Sequence, residues 1–207
     1  MIKILNVFFC VVSFLYPYKL HQKLTTAKNL LYTLWIKNFL GSVGEHSIIQ
    51  MGCRFLGGGY NRITIGNHTK ILKNSIIECI TQYSDQLFSH SSLKIGNNCT
   101  IGEYNHITAC KKIVIGNGFL SGRFVIITDN NHGGLNKKEA RIEPAKREIT
   151  TEEVIIGDNV WLGDKVSILA GVHIGNNVIV GANAVVTKDI PDNCLAVGVP
   201  AKVVKKI

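Results

Sequence analysis

A six-residue period, unbroken from Ile156 to Pro191, constrains this chain more than any other feature. Six hexads begin at Ile156, Leu162, Ile168, Ile174, Val180 and Val186, each opening on an aliphatic residue. Their fifth positions are Val160, Val166, Val172, Val178, Ala184 and Ile190, which makes a second apolar column. Glycine follows the first residue in four of the six, at Gly157, Gly163, Gly175 and Gly181. An amphipathic helix needs apolar residues three and four apart, and a half-buried strand needs strict alternation. A period of six with two apolar columns fits neither and predicts a parallel β-helix, an all-β solenoid. Each hexad is then one short side plus a corner, and three hexads close a triangular coil of about 18 residues. Such a fold buries its core along the axis and leaves function to corners and inserted loops.

The same grammar, less regular, runs back through the chain. It starts faintly at Val43-Gly44, breaks at Gly57-Gly58-Gly59, and resumes at Ile65-Gly66 and Ile71. A polar stretch from Gln82 to Ser92 reads as an inserted loop. A second block holds Ile95-Gly96, Ile101-Gly102 and Ile107, and two extra residues near Lys111-Lys112 shift the frame before Ile115-Gly116, Ser121-Gly122 and Ile127. Residues 129–153 leave the repeat altogether, and loops of that length inside a compact domain are commonly functional. The expected organisation is a helical, hydrophobic segment over 1–40, a β-helix over 41–201 with its insertion at 129–153, and a basic tail over 202–207. Five to six coils fit that length.

The net charge of +9 predicts affinity for anions: nucleic acid, acidic lipid or a phosphorylated cofactor. Nucleic acid is disfavoured, because no interleaved aromatic and basic pattern and no zinc-finger or helix-turn-helix signature is present. The six cysteines are scattered without C-x-x-C spacing, which suits reduced thiols in a cytoplasmic protein. The apolar run from Ile4 to Tyr16 is too short for an ordinary spanning helix and lacks a small-x-small cleavage site. It is expected either to pack on the domain or a neighbour, or to lie peripherally on a membrane, such as the inner membrane.

Among seven histidines, His132 stands apart. It follows Asp129, Asn130 and Asn131 where the repeat runs out, and it occupies the sixth, outward position counted from Ile127. A general base and an ordinary surface histidine both fit that placement. His106 and His173 also fall on sixth positions, but within regular rungs, and read as surface residues.

The blocks I-G-D-N-V-W-L-G (156–163), V-T-K-D-I-P (186–191) and G-V-P-A-K (198–202) are specific. Through them the chain resembles the hexapeptide-repeat acyltransferases, nearest to the maltose and galactoside O-acetyltransferases and the acetyltransferases of polysaccharide synthesis. The resemblance extends over 95–132 and weakens before 60. It implies a left-handed parallel β-helix, a homotrimer, and acetyl-CoA lying between neighbouring subunits; no metal is expected. The family's catalytic histidine lies sixteen residues after the glycine of an Ile-Gly hexad, and His132 lies sixteen after Gly116. Asp129 is a candidate to orient it or to cap the turn, and Asn130 stands where many relatives have a further histidine.

Carried over residue by residue, Trp161 and Gly163 match a W-x-G corner beside the thioester. Asp164 stands where a backbone N–H approaches the reacting carbonyl, and Ala182 where a small residue admits the pantetheine arm. Thr187 and Lys188 match a pair near the donor, while Lys202 and Lys205 match basic residues near its phosphates. Asn105 and Asn131 are assigned to the acceptor, whose site the segments 57–64, 82–92 and 133–153 are expected to shape. The reading is acetyl-CoA-dependent O-acetylation of a sugar or polysaccharide precursor by direct attack. An amino-sugar acceptor, an acyl-carrier donor and a non-catalytic scaffold are the alternatives.

Overall fold

The computed structural model describes residues 1–134 and 139–207. Two helices, α1 (Ile2–Leu15) and α2 (Tyr18–Ile36), precede a three-sided parallel β-solenoid. Its first face stacks Ser42–Val43, Ile63–Ile65, Ser92–Ile95, Lys112–Ile115, Val154–Ile156 and His173–Ile174. The second stacks Ile48–Ile49, Lys70–Ile71, Thr100–Ile101, Leu120–Ser121, Trp161–Leu162, Ile179–Val180 and Cys194–Val197. The third stacks Arg54–Leu56, Ile76–Cys79, His106–Ala109, Ile126–Thr128, Ser167–Ile168 and Val185–Val186. Six complete coils result, with the three parallel sheets of a left-handed β-helix. Residues 202–207, expected as a basic tail, instead supply a strand, Lys202–Lys206, antiparallel to Cys194–Val197.

Both apolar columns point inward, as the period requires. Ile71, Ile101, Leu162 and Ile168 from the first column and Val125, Val166 and Val178 from the fifth are fully buried. Each such side chain contributes on the order of 1.5–3 kcal/mol relative to exposure. At the open N-terminal end α2 acts as a lid. The hydroxyl of Thr33 accepts the Ile49 N–H (2.9 Å), Tyr32 donates to the Cys53 carbonyl (2.6 Å), and Ile36 and Leu40 join the core.

The three edges of the prism are not alike. Between the first and second faces, Asn67, Asn97, Asn117, Asp158, Asn176 and Asp192 form a ladder. Each side-chain oxygen accepts a backbone N–H from the preceding coil, at 2.6–2.9 Å. The residue after each of the middle rungs turns the corner with positive φ, 56° at Asn98, Asn159 and Asn177, a conformation asparagine tolerates well. Every insertion lies on one other edge, where the chain passes from the third face back to the first: 57–62, 80–91, 110–111 and 129–153.

Candidate active site

Two of those insertions build a cleft against the third face. Residues 80–91, read from sequence as a loop, contain an antiparallel pair, Gln82–Tyr83 with Gln86–Leu87. Residues 129–153 open and close as a second hairpin, Asn130–His132 with Ile149–Thr151. The Gln86 side chain clamps one to the other. Its Nε2 donates to the Ile149 carbonyl and its Oε1 accepts the Ile149 N–H, both at 2.8 Å. Phe88, Cys110 and Ile149 bury a small second core beneath, with Ile80 and Tyr83 packed on it.

The cleft so formed is about 430 Å³. His132 is exposed at its rim and packs edge-on against Tyr83, ring centroids 5.2 Å apart. Asn131 lines the cleft beside it, and Ile80, Ile126 and Ile149 give it an apolar floor. None of the lining residues comes from 57–64.

The opposite wall holds a cluster that sequence reading missed. Glu78 Oε2 lies 2.9 Å from His106 Nε2 and accepts the Thr108 hydroxyl at 3.0 Å, while Thr108 Oγ1 is 2.8 Å from the same imidazole nitrogen. The hydrogen bond from His106 holds the Glu78 carboxyl below the usual carboxylate range against partial burial. His106 reads as a surface residue in sequence because its sixth-position placement shows only that it faces outward. What it faces is set by the insertions, which carry no periodic signal. The parallel register Ile107↔Ile77 then brings Glu78 alongside, 28 residues away.

Two expectations are corrected. Asp129 does not reach His132. It is fully buried, and its carboxylate accepts the N–H groups of Cys110 (2.7 Å), Lys111 (2.8 Å) and Lys112 (2.7 Å). It pins the root of the insertion to the neighbouring corner, and its carbonyl accepts the Glu152 N–H where the excursion returns. Asn105 does not face an acceptor. It fills the fifth, inward position of its hexad, 1% exposed, donating to Ser121 Oγ at 2.5 Å and accepting the Val125 N–H at 2.8 Å. Ser121 itself interrupts the aliphatic column, so the two polar residues satisfy each other inside the core.

The expected donor wall lies elsewhere. Trp161 is half-exposed on the second face; Gly163, Asp164 and Ala182 occupy the edge between the second and third faces. A Cβ on Gly163 would stand 2.6 Å from the Ala182 nitrogen, so close coil packing alone demands glycine there. The Asp164 carboxylate accepts the Arg123 N–H at 2.8 Å, which leaves the side chain a corner-capping task. Thr187 and Lys188 are exposed beyond the last strand of the third face, and Lys202 and Lys205 on the terminal strand. A single chain therefore sets His132 and the Trp161–Ala182 wall on opposite edges of the third face, and does not join them.

Five of the six cysteines are buried and all are unpaired. Cys110 borders the cleft, yet burial and the neighbouring Asp129 carboxylate push its thiol up to about 12. It is therefore a poor nucleophile near neutrality.

Residues 153–188 match the family of bacterial transferase hexapeptide repeats. A protein of Escherichia coli strain K12, WbbJ, provisionally named as a lipopolysaccharide biosynthesis O-acetyl transferase, is 39% identical over 123 residues. That match covers 58% of this chain and 63% of the relative, so the chain spans less than two thirds of the relative's length. Among solved structures, the N-acyltransferase AntD of Bacillus cereus, in complex with dTDP-4-amino-4,6-dideoxyglucose and coenzyme A, has a TM-score of 0.67 at 20% identity, covering 84% of this chain and 88% of that one. A hexapeptide-repeat acetyltransferase of Vibrio cholerae in complex with acetyl-CoA has a TM-score of 0.54 at 20% identity, covering 92% and 90%. At such identities the two structures show the shared fold. The six-residue period, the three-faced parallel solenoid and these matches agree on one point: residues 153–188 carry the hexapeptide repeat of bacterial transferases, and the chain is similar to acetyltransferases built on it.

Proposed function

We propose that the protein transfers an acetyl group from acetyl-CoA to a hydroxyl of a sugar or polysaccharide precursor, with His132 as general base. The observation that carries this reading is the position of His132. It stands at the rim of a cleft built by the two long insertions, opposite the Glu78–His106–Thr108 cluster. A floor of isoleucines beneath polar walls and a tyrosine ring suits an acceptor that is apolar on its ring faces and hydrogen-bonding at its rim. The relative WbbJ, named for O-acetyl transfer in lipopolysaccharide biosynthesis, supports the same class of acceptor.

Neutral His132 takes the proton from the acceptor hydroxyl as the oxygen attacks the thioester carbonyl. The Asp164 backbone N–H stabilises the oxyanion of the tetrahedral intermediate, since the Gly163 N–H already donates to the Val180 carbonyl at 2.8 Å. As the intermediate collapses the C–S bond breaks, and the imidazolium returns its proton to the departing thiolate. Direct attack is favoured over an acyl-enzyme because Cys110, the thiol bordering the cleft, stays protonated. The exposed lysines at 188, 202 and 205 suit a donor with phosphates at one end, each acting as a point charge. Because base and donor wall lie on opposite edges of one chain, the complete site needs a neighbouring copy, as in a trimer with sites between subunits.

Labelled acetyl-CoA with a panel of saccharide acceptors tests the reading. Transfer to a hydroxyl is expected, with acetyl-CoA binding retained and transfer lost in His132→Ala. Absence of acetyl-CoA binding in a calorimetric titration would leave only a scaffold. A covalent acetyl-protein formed without acceptor would sink direct attack.

A further inference from the structure

The two N-terminal helices present apolar surface that the β-helix does not cover. No residue of α1 is buried, and Phe14 and Leu15 are 84% and 71% exposed. Its polar or weakly polar residues Lys3, Asn6, Cys10 and Ser13 recur at intervals of three, four and three. That spacing puts them on one narrow stripe and leaves the rest of the circumference apolar. α2 is docked through Asn29, Tyr32, Thr33 and Ile36. On its opposite side Leu20, Leu24, Ala27, Leu31 and Leu34 form a second apolar line, all exposed, Leu31 to 66%.

Charge decides what covers these faces. The first 44 residues contain five lysines and no acidic residue, Glu45 being the first in the chain. A second copy is a poor occupant of the α2 line. The intervals of four, three, four and three make a coiled-coil seam, and parallel copies sharing it would set Lys23 of one against Lys28 of the other. An anionic bilayer surface removes that repulsion. Lys19, Lys23 and Lys28 flank the leucine line, where they can reach phosphate headgroups while their stems and the leucines lie in the acyl boundary. Spanning is not required. Among the described residues no single helix is long and apolar enough to cross a membrane; α1 and α2 together have the length and composition, but they are bent by 58° where they meet, and the fourteen residues of α1 alone reach only about 21 Å.

We infer that residues 2–36 dock the protein onto an anionic lipid surface, α1 sunk among the acyl chains and α2 lying along the headgroups. Flotation of the full chain with vesicles of phosphatidylcholine, with and without phosphatidylglycerol, tests this. Binding is expected on the phosphatidylglycerol vesicles and should weaken as salt is raised. Replacing Lys19, Lys23 and Lys28 together by glutamine should lower that affinity by roughly a hundredfold, at about fivefold per lysine near the surface. Leu24→Glu with Leu31→Glu, on the undocked side of α2, should abolish flotation while circular dichroism and melting stay as in wild type. Equal binding to both vesicle types, or a double variant that floats like wild type, overturns the inference. So does a double variant that lowers the oligomeric state in lipid-free buffer, since a second copy then covers the line.

Discussion

The edge between the first and second faces and the edge between the third and first are made by one repeat, yet they do opposite things. On the former, six coils turn with the same length of chain, and the ladder from Asn67 to Asp192 repeats one hydrogen bond at each step. On the latter no two of the inserted segments match, and the longest of them carries His132 into the cleft. Uniformity distributes stability over many equivalent small contributions. Irregularity concentrates chemistry, and it needs a local anchor, which Asp129 provides. The two edges should therefore respond to substitution in different currencies: activity at one, stability in small increments at the other.

The largest effect is expected from His132→Ala, a fall in turnover on the order of 10²–10⁴ from loss of general-base catalysis. Because the side chain is exposed, the thermal midpoint should barely move. A variant with wild-type turnover would detach the cleft from the chemistry. Next comes Asp129→Ala, which leaves three backbone N–H groups at the root without their acceptor. A loss of about 3 kcal/mol in urea unfolding is expected, together with lower turnover as the hairpin bearing His132 loosens. If stability falls and turnover holds, the root and the site are independent, and the contrast between edges is weaker than it looks.

The sequence makes the solenoid legible because the burial pattern and the period are the same fact: first and fifth positions point inward wherever the hexads run between the insertions, from Ile65 to Ile190. The same ruler, applied strictly, places Asn105 in the fifth column and therefore inside, so an acceptor-binding role for it runs against the period. Asp129 is different. Its burial follows from backbone amides at 110–112, and those belong to the two-residue frame shift whose geometry no hexad describes. The Glu78–His106 pair joins residues from consecutive coils, and the spacing between those coils is set by the insertion at 80–91. Long-range register of that kind becomes visible only once the lengths of all insertions are assigned to one edge. Trp161 and Ala182 are singled out by motif resemblance alone: one is half-exposed on the second face and the other sits on the edge beyond it, and neither position is marked by the period.

A much smaller change is expected on the ladder edge. Asn117→Ala removes the oxygen that accepts the Asn97 N–H at 2.9 Å and the amide that donates to Asp158. Both partners are solvent-accessible, so water replaces much of what is lost, and a cost of about 1 kcal/mol or less follows. Turnover should stay at the wild-type value. A drop in turnover here would mean that the uniform edge communicates with the cleft.

The smallest effect, and the one that separates the two walls of the cleft, is a pH dependence at Glu78. Its carboxyl is held below its ordinary range chiefly by the hydrogen bond from His106, with a further hydrogen bond from Thr108. A carboxyl with a lower pKa in the folded state than in the unfolded chain adds stability above the unfolded value, about 4.3. That contribution disappears as pH falls through the depressed folded value. Glu78→Gln should therefore be less stable than wild type near neutrality by a few tenths of a kcal/mol up to about 1 kcal/mol, on the scale of one partly exposed hydrogen-bonded pair, and the gap should close in acid. His132 is not among the groups that hold the Glu78 carboxyl down, so His132→Ala should leave the Glu78-dependent change in stability between neutral and acid pH as it is. If both substitutions shift it alike, the walls are electrostatically coupled, and the Glu78–His106 pair tunes the base across the cleft besides shaping the wall opposite.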